Sequence, residues 1–566
     1  MASSVMNIAK TYPASFDEEF SHYPRIIRQI AFTRGIITKD ELERFMNSSY
    51  KDDIHDPFLF PDMKKVVKRI METKESGEKV TIYGDYDADG IDGAAILART
   101  FKILGITFNT YIPHRLIEGY GINKDSVKKL AEDGTKLIIS VDCGISNSEE
   151  VAFASENNID VIITDHHQML KEKPDAFAII HPILDKEFYP DSNLTGGGVA
   201  FKLAQALIKT NEKIFPEGYE KWLLDLAAIS TIADYGKLVG ENRAIVKYGL
   251  IVFNKTKNLG LIAMKDIAGL KHQYDCIDIA FKVIPLINAA GRMNHGVAAY
   301  EALVEEDKEK ALEYANNLLT ENKKRRELSD AMYKEALTQA REQEKEKLIV
   351  VKNKKWPITL VGIVATRIMN EFGKPTFAIG HKKELWAGSG RSLPSYDISL
   401  ALQEHKDMFE DYGGHAVAGG FTFKESVSID EGVKTFQKHA KKLLKGVELV
   451  PQVDIEAEIS LDEINEDLID WLSKLKPFGA GNPQPRFLIK DMKLSEVYPL
   501  GKNGNHLKLM VPKKGGGHMK CVFFNGTKKY AEKLIAGATC DAIVELDYNE
   551  WMGMSEIQIK IIDVHI

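Results

Sequence analysis

Val80-Thr81-Ile82-Tyr83-Gly84-Asp85-Tyr86-Asp87-Ala88-Asp89-Gly90 is the stretch whose reading decides the fold. Val80, Thr81 and Ile82 are β-branched and the run is stopped by a glycine, the signature of a short buried strand. Asp85, Asp87 and Asp89 then alternate, and Gly90 reads as a turn into Ala94–Leu104, an apolar segment of helical length. Acids this close at the carboxyl end of a strand repel one another, and a hard divalent cation held by carboxylate oxygens removes that repulsion. A solvated acidic turn accounts for the same residues. The spacing also opens an EF-hand loop, but that loop needs a bidentate Glu at its twelfth position, which here is Ile96.

Working outward, strand-like and helix-like runs alternate. Phe108–Ile112, Lys136–Val141, Val161–Thr164 and Phe177–Ile180 read as further strands, separated by helical stretches such as Asn123–Glu132 and Asn147–Asn157. Repeated strand-then-helix order predicts a mainly parallel sheet with helices on its faces, with ligands beyond the carboxyl ends of the strands. The strand ends therefore belong together. The third ends in Asp142-Cys143-Gly144, the fourth in Asp165-His166-His167, and a later apolar segment, Leu226–Ala233, ends in Asp234. Acids and imidazoles from four separated segments on one edge favour the metal site over the acidic turn.

A chain of 566 residues exceeds one core and predicts several domains. Its 44% apolar and 28% charged content is that of a globular protein, and a net charge of −7 neither advertises nor excludes a nucleic-acid partner, because local patches decide. Cys143, Cys276, Cys521 and Cys540 lie far apart with no Cys-x-x-Cys pair, against a zinc ribbon or a disulfide scaffold and in keeping with a reducing cytoplasm. Met1–Pro13 lacks the apolar core of a signal peptide and no apolar run is long enough to span a membrane, so a cytoplasmic protein is expected.

Residues 1–75 are expected to pack on the first domain, which runs over 76–305. Residues 306–347, rich in Ala, Leu, Glu and Lys and free of Gly and Pro, predict one long connecting helix with a solvated charged face. A second α/β unit covers 348–446 and holds Gly388-Ser389-Gly390-Arg391-Ser392 and Gly413-Gly414-His415. In 447–566, period-two alternation at Val453/Ile455/Ala457/Ile459, Leu507/Leu509 and Ile557/Ile559/Ile561 fits a five-stranded barrel of the oligonucleotide-binding type.

Gly84–Gly90, Glu118-Gly119-Tyr120-Gly121, Val141–Gly144 and Asp165-His166-His167 resemble the first motifs of the DHH phosphoesterase superfamily, and within it of the bacterial RecJ family. Thr231–Asp234, Asn288-Ala289-Ala290-Gly291-Arg292, Gly388–Ser392, Gly413–His415 and Pro477–Pro483 resemble the later ones, in the same order. The resemblance implies a multidomain α/β protein: a parallel-sheet DHH domain, a long connecting helix, an α/β DHHA1 domain and a C-terminal OB-fold β-barrel. It implies a metal-dependent 5′-to-3′ exonuclease that degrades single-stranded DNA to mononucleotides in repair and recombination. A helicase and a single-strand-binding protein are candidate partners, and no membrane is involved.

Carried over residue by residue, Asp87 and Asp142 hold one Mn²⁺ or Mg²⁺ ion. Asp89, Asp142, His166 and Asp234 hold the second, with Asp142 bridging. His167 faces the phosphate, Arg292 grips a phosphate oxygen, and Arg391, Ser392, Gly414 and His415 bind the nucleic acid near its 5′ end. The barrel aromatics Tyr498, Phe523, Phe524, Tyr548 and Trp551 are candidate stacking platforms, though each taken singly reads first as core.

The chain departs from the pattern at Tyr83, where smaller members carry a metal-binding His. That leaves Asp85, grouped here with the catalytic residues, or water to complete the first site. It departs again at Pro357 and Thr359, where the family usually has His and Gly, which bears on processivity or end preference. Two other readings remain open: an oligoribonuclease or nucleotide phosphodiesterase, and a non-catalytic scaffold that binds single strands.

Overall fold

Val80–Ile82 lies inside β1 (Lys79–Gly84), the strand that the first sheet is built around. β2 (Phe108–Tyr111) pairs on one side of it and β3 (Thr135–Val141) on the other, followed by β4 (Asp160–Thr164) and β5 (Ala178–Ile180). The order is β2-β1-β3-β4-β5 and every pair is parallel. Chain order reverses between β1 and β3, and a crevice opens at such a switch point beyond the strand ends. Val80 and Ile82 enter the core on one face, while Tyr83 enters the core on the other. The Tyr83 ring is fully buried and its hydroxyl donates to the Gly121 carbonyl at 3.1 Å.

This description rests on the computed structural model, which describes residues 5–169, 172–269, 273–382, 384–449, 452–513, 515–530, 532–551 and 554–566. Among these residues no helix is long and apolar enough to cross a membrane.

α1 (Ala88–Leu104) begins at Ala88 rather than at the expected Ala94. Asp87 is its N-cap, with Oδ1 accepting the Asp89 N–H at 3.0 Å and the Gly90 N–H at 3.5 Å. Gly90 is thus part of the first helical turn, and a Cβ there would stand 2.5 Å from the Asp85 nitrogen. α2 (Gly196–Thr210) and α3 (Leu224–Ala233) pack beside α1. α3 is the apolar stretch before Asp234. It is buried nearly all round, which erases the periodicity that separates helix from strand. α4 (Ile284–Met293) and α5 (Lys308–Arg341) follow.

α5 is the expected connector, but only one of its faces is solvated. Ala311, Ala315, Leu318, Asn322, Ser329, Met332, Ala336 and Ala340, spaced by three, four or seven residues along one face, are buried. Ala315 and Leu318 join the core of the first sheet, and Met332, Ala336 and Ala340 join that of the next domain. There β6 (Ile349–Pro357) leads into α6 (Ile358–Phe372), followed by β7 (Thr376–Lys382), β8 (Leu385–Arg391), β9 (Phe409–His415) and β10 (Ala418–Phe423). The sheet order is β9-β10-β8-β7-β6, with only β6 and β7 parallel. Pro357 is the N-cap of α6, where a missing N–H costs nothing.

Everything above belongs to a unit made of Ser49–Leu449 and Gly479–Gly481. A second unit combines Met1–Ser48 with Val450–Phe478 and Asn482–Ile566. This corrects the expected attachment of residues 1–75 to the first domain, because the division falls near Ser48. Phe16, Phe20, Ile27 and Ile30 share one core with Ile459, Leu472, Phe487 and Leu509, and Val5–Ile8 pairs parallel with Gln452–Ile455. An amphipathic helix announces that it has an apolar face, but not which distant surface covers it. Beside that two-stranded pairing, the main sheet of this unit has seven strands among the described residues, two more than expected, the shortest being Ala457–Glu458. Phe523 is core, Tyr498 and Phe524 are each 48% exposed, and the Tyr548 hydroxyl donates to Asp470 at 2.9 Å. The Trp551 side chain lies outside the described residues.

Candidate metal centre and nucleic-acid cleft

The carboxyl ends of β1, β3 and β4, with Asp234 at the end of α3, bring together the acids and imidazoles that the sequence singles out. Ligand atoms of Asp85, Asp87 and Asp142 lie within 4.8 Å of one another, and so do those of Asp89, His166 and Asp234. His166 Nε2 joins the two groups, 3.1 Å from Asp142 Oδ1 and 3.6 Å from both Asp89 Oδ2 and Asp234 Oδ2. Asp85 therefore sits in the carboxylate cluster itself. Asp142 adopts a left-handed backbone with φ 64°, a conformation that an aspartate tolerates better than most residues. Tyr83 turns its ring into the opposite core and contributes nothing to the cluster.

Asp85 Oδ1, Asp142 Oδ1 and His166 Nε2 are buried and have no hydrogen-bond partner among the described residues. Orphaned atoms of this kind cost free energy unless something binds them. Burial pushes Asp85, Asp87 and Asp142 above the usual carboxylate range, and the neighbouring acids add to it. Burial and the charges of Asp89 and Asp87 push Asp234 up to about 8. Burial pushes His166 down to about 4, leaving it neutral. Carboxylate oxygens with one neutral imidazole form a donor set that suits Mn²⁺ or Mg²⁺, so the residues present fit a pair of divalent cations.

His167 differs from His166. Burial opposes its charge, but a 2.9 Å hydrogen bond from Nδ1 to Asp165 Oδ1 and the charge of that carboxylate hold it up at about 9. Its ring nitrogen also lies close to Asp142 and His166, so geometry alone places it among the groups that could reach an ion. Asp165 is fully buried and also accepts the backbone N–H groups of His166, His167 and Ile145.

A cleft of about 410 Å³ opens beside this cluster, between the first sheet and the second α/β domain of the same unit. Tyr86, Arg115, Tyr120, Arg292, Ser389 and Arg391 line it. The Tyr120 hydroxyl donates to the Asp142 carbonyl at 2.9 Å and lies 3.0 Å from His167 Nδ1, which links cleft and cluster. Arg292 Nη1 donates to the Thr359 carbonyl at 2.9 Å, and burial and the charge of Arg115 lower it to about 9. Arg391 donates to Ser389 Oγ and to the Gly390 carbonyl, each at 2.7 Å. Arg115 lies over the Tyr86 ring at 4.7 Å.

Not every expected contact is in the cleft. Ser392 is buried and its hydroxyl donates to the Leu393 carbonyl at 3.1 Å. Gly414 and His415 are exposed on the β9–β10 hairpin, outside the lining, while Gly413 and Tyr412 beside them reach it.

Sequence reasoning missed four supports. Gly196 N–H and Gly197 N–H, at the start of α2, donate to Asp89 at 2.8 and 2.7 Å, and Ser230 on α3 donates to the same carboxylate. Arg115 carries no spacing signal of its own. The run Thr195-Gly196-Gly197-Gly198 opening an apolar helix was the available hint for the first pair.

Three family models match consecutive parts of the chain: the DHH family, N-terminal domain over residues 79–231, the DHHA1 domain over 345–446 and the RecJ OB domain over 455–563. Single-stranded-DNA-specific exonuclease RecJ of Bacillus subtilis is 33% identical over 550 residues, covering 96% of this chain and 68% of that protein. The protein of the same name from Thermus thermophilus is 34% identical over 443 residues, covering 78% of this chain and 63% of that protein. The chain thus spans about two thirds of the length of these relatives. The crystal structure of the Thermus thermophilus RecJ in complex with Mn²⁺ superposes with a TM-score of 0.83 at 26% identity, covering 99% of this chain and 79% of that one. With a third of its residues shared along nearly its whole length, and the three domain models matched in order, this chain belongs to the RecJ family.

Proposed function

We propose that the chain is a divalent-metal-dependent exonuclease that removes mononucleotides from the 5′ end of single-stranded DNA, in the cytoplasm and in the service of repair and recombination. The observation that carries this reading is the meeting of Asp85, Asp87, Asp89, Asp142, His166 and Asp234 beside an arginine-lined cleft. The names and bound ions of the relatives support the substrate and the choice of Mn²⁺ or Mg²⁺.

In this reading Asp85, Asp87 and Asp142 would hold one ion, and Asp89, His166 and Asp234, with Asp142 nearby, would hold the other. Two such ions supply a deprotonated water and neutralise phosphoryl charge. The side chains do the remainder. Asp165 keeps His167 protonated and oriented, so its imidazolium donates to a phosphate oxygen or a leaving group. Arg115, Arg292 and Arg391 neutralise the phosphates of the strand, and the Tyr86 and Tyr120 rings flank its sugars and bases. The exposed Tyr498 and Phe524 in the other unit are candidates to stack further bases.

The test is degradation of 5′- and 3′-labelled DNA, single- and double-stranded, with Mn²⁺, Mg²⁺ or chelator. Release of labelled mononucleotide from 5′-labelled single strands, abolished by chelator, is expected. Cleavage confined to very short oligomers would turn the reading to an oligoribonuclease, and binding without cleavage to a scaffold.

A further inference from the structure

One side chain with no role so far reaches the metal-binding loop from 200 residues away. Asn288, on α4, accepts the Ala88 N–H through Oδ1 at 3.0 Å. Ala88 is the first residue of α1 and stands between Asp87 and Asp89. The first N–H groups of a helix have no partner inside it. Asp87 Oδ1 satisfies those of Asp89 and Gly90, which leaves the N–H of Ala88 to be met by something else.

Without Asn288, the acceptor nearest in sequence is the carboxylate of Asp87 itself. Aspartates in this chain do accept from the next residue's N–H: Asp165 from His166 at 2.7 Å, and Asp225 from Leu226 at 2.8 Å. An Asp87 turned that way spends on the backbone an oxygen that a cation needs. A neutral amide fills the role without adding another negative charge to a cluster already crowded with them.

The packing of α4 fixes this contact. At Gly291 a Cβ would stand 2.7 Å from the Tyr86 carbonyl oxygen, so the helix lies directly on the backbone that joins Asp85 to Asp87. The next residue, Arg292, lines the cleft.

We propose that Asn288 is a positioning residue for the metal site: by capping Ala88 it keeps the Asp87 carboxylate turned toward the cation. The inference rests on the metal-binding reading given above.

The test titrates Mn²⁺ into the metal-free full chain by calorimetry or electron paramagnetic resonance, with Tm in chelator and the kinetics of strand degradation alongside. Asn288→Ala is expected to weaken Mn²⁺ binding about tenfold, the low end of what losing a support outside the ligand set costs. Its Tm in chelator stays within a few degrees of the parent, KM for DNA is unchanged, and saturating Mn²⁺ restores kcat. Asn288→Asp, which keeps the acceptor, binds Mn²⁺ at least as well as the parent. If Asn288→Ala binds Mn²⁺ like the parent, or Asn288→Asp binds as weakly as Asn288→Ala, the positioning role is overturned while the metal site stands. If the parent itself binds no Mn²⁺, the metal-binding reading falls and this inference falls with it.

Discussion

His166 Nε2 and Asp142 Oδ1 stand 3.1 Å apart at the ends of neighbouring strands, and neither has a hydrogen-bond partner among the described residues. Two buried polar atoms left facing each other in this way are the local mark of a site built for a third species. Asp142→Asn keeps the shape and removes the charge. It is expected to lower kcat by about 10³-fold or more, several kcal/mol of lost stabilisation, while single-strand affinity stays within a few-fold. Steady-state kinetics and fluorescence anisotropy check both. Retained cleavage would remove the bridging role assigned to Asp142.

Cation binding should also appear as stability. Five carboxylates that repel one another in the metal-free protein are relieved when cations bind the folded state alone. Mn²⁺ at a hundred times its Kd adds about 2.7 kcal/mol. A melting curve that rises with Mn²⁺ and falls back with chelator is expected, and the rise is smaller in Asp142→Asn, whose metal-free form is already less strained. A Tm indifferent to Mn²⁺ would contradict the site.

The cleft arginines act on phosphate rather than on fold. Arg115 packs over Tyr86 and lines the cleft beside Arg292 and Arg391. Arg115→Gln is expected to weaken single-strand binding about tenfold or more, the worth of one charge-assisted hydrogen bond. It also lowers the slope of log affinity against log salt by about 0.7, one phosphate contact fewer. Anisotropy across a salt series reads both, and an unchanged slope would place Arg115 outside the strand's path.

Far from the cleft, Lys202 and Glu241 form a fully buried ion pair at 2.7 Å, and Glu241 also accepts from Tyr189 and from the His55 N–H. Removing one partner strands a buried charge. Lys202→Met is expected to cost about 3–5 kcal/mol, and Lys202→Met with Glu241→Leu to recover part of it. Denaturant unfolding measures the pair.

The metal edge was legible because its parts lie at strand ends. A short apolar, β-rich run reads the same locally as it does in the sheet: the five runs became β1 to β5 near their expected bounds, and acids follow three of them, β1, β3 and β4. Supports that exist only in three dimensions were not legible. Asp89 is held by Gly196, Gly197 and Ser230, more than 100 residues away, and nothing in a glycine run says which carboxylate it will meet. The start of α1 was misplaced because Asp87 acts as a helix cap while also belonging to the acidic cluster, and Gly90 looked like a turn when it is a point of close packing. Ser392 shows the limit of carrying a motif across whole: Arg391, the last residue of β8, lines the cleft, and Ser392 just beyond the strand is buried with its hydroxyl on the Leu393 carbonyl.

The mixed origin of the second unit sets a timetable for making the protein. Helices within residues 14–46 share their core with strands and a helix beyond residue 450, so about 400 residues are translated between the two halves of one core. At roughly 5–20 residues per second, the ribosome leaves those helices uncovered for tens of seconds. The unit that carries the acids can mature in that interval, while the apolar faces of the leading helices wait for the segment that completes their core.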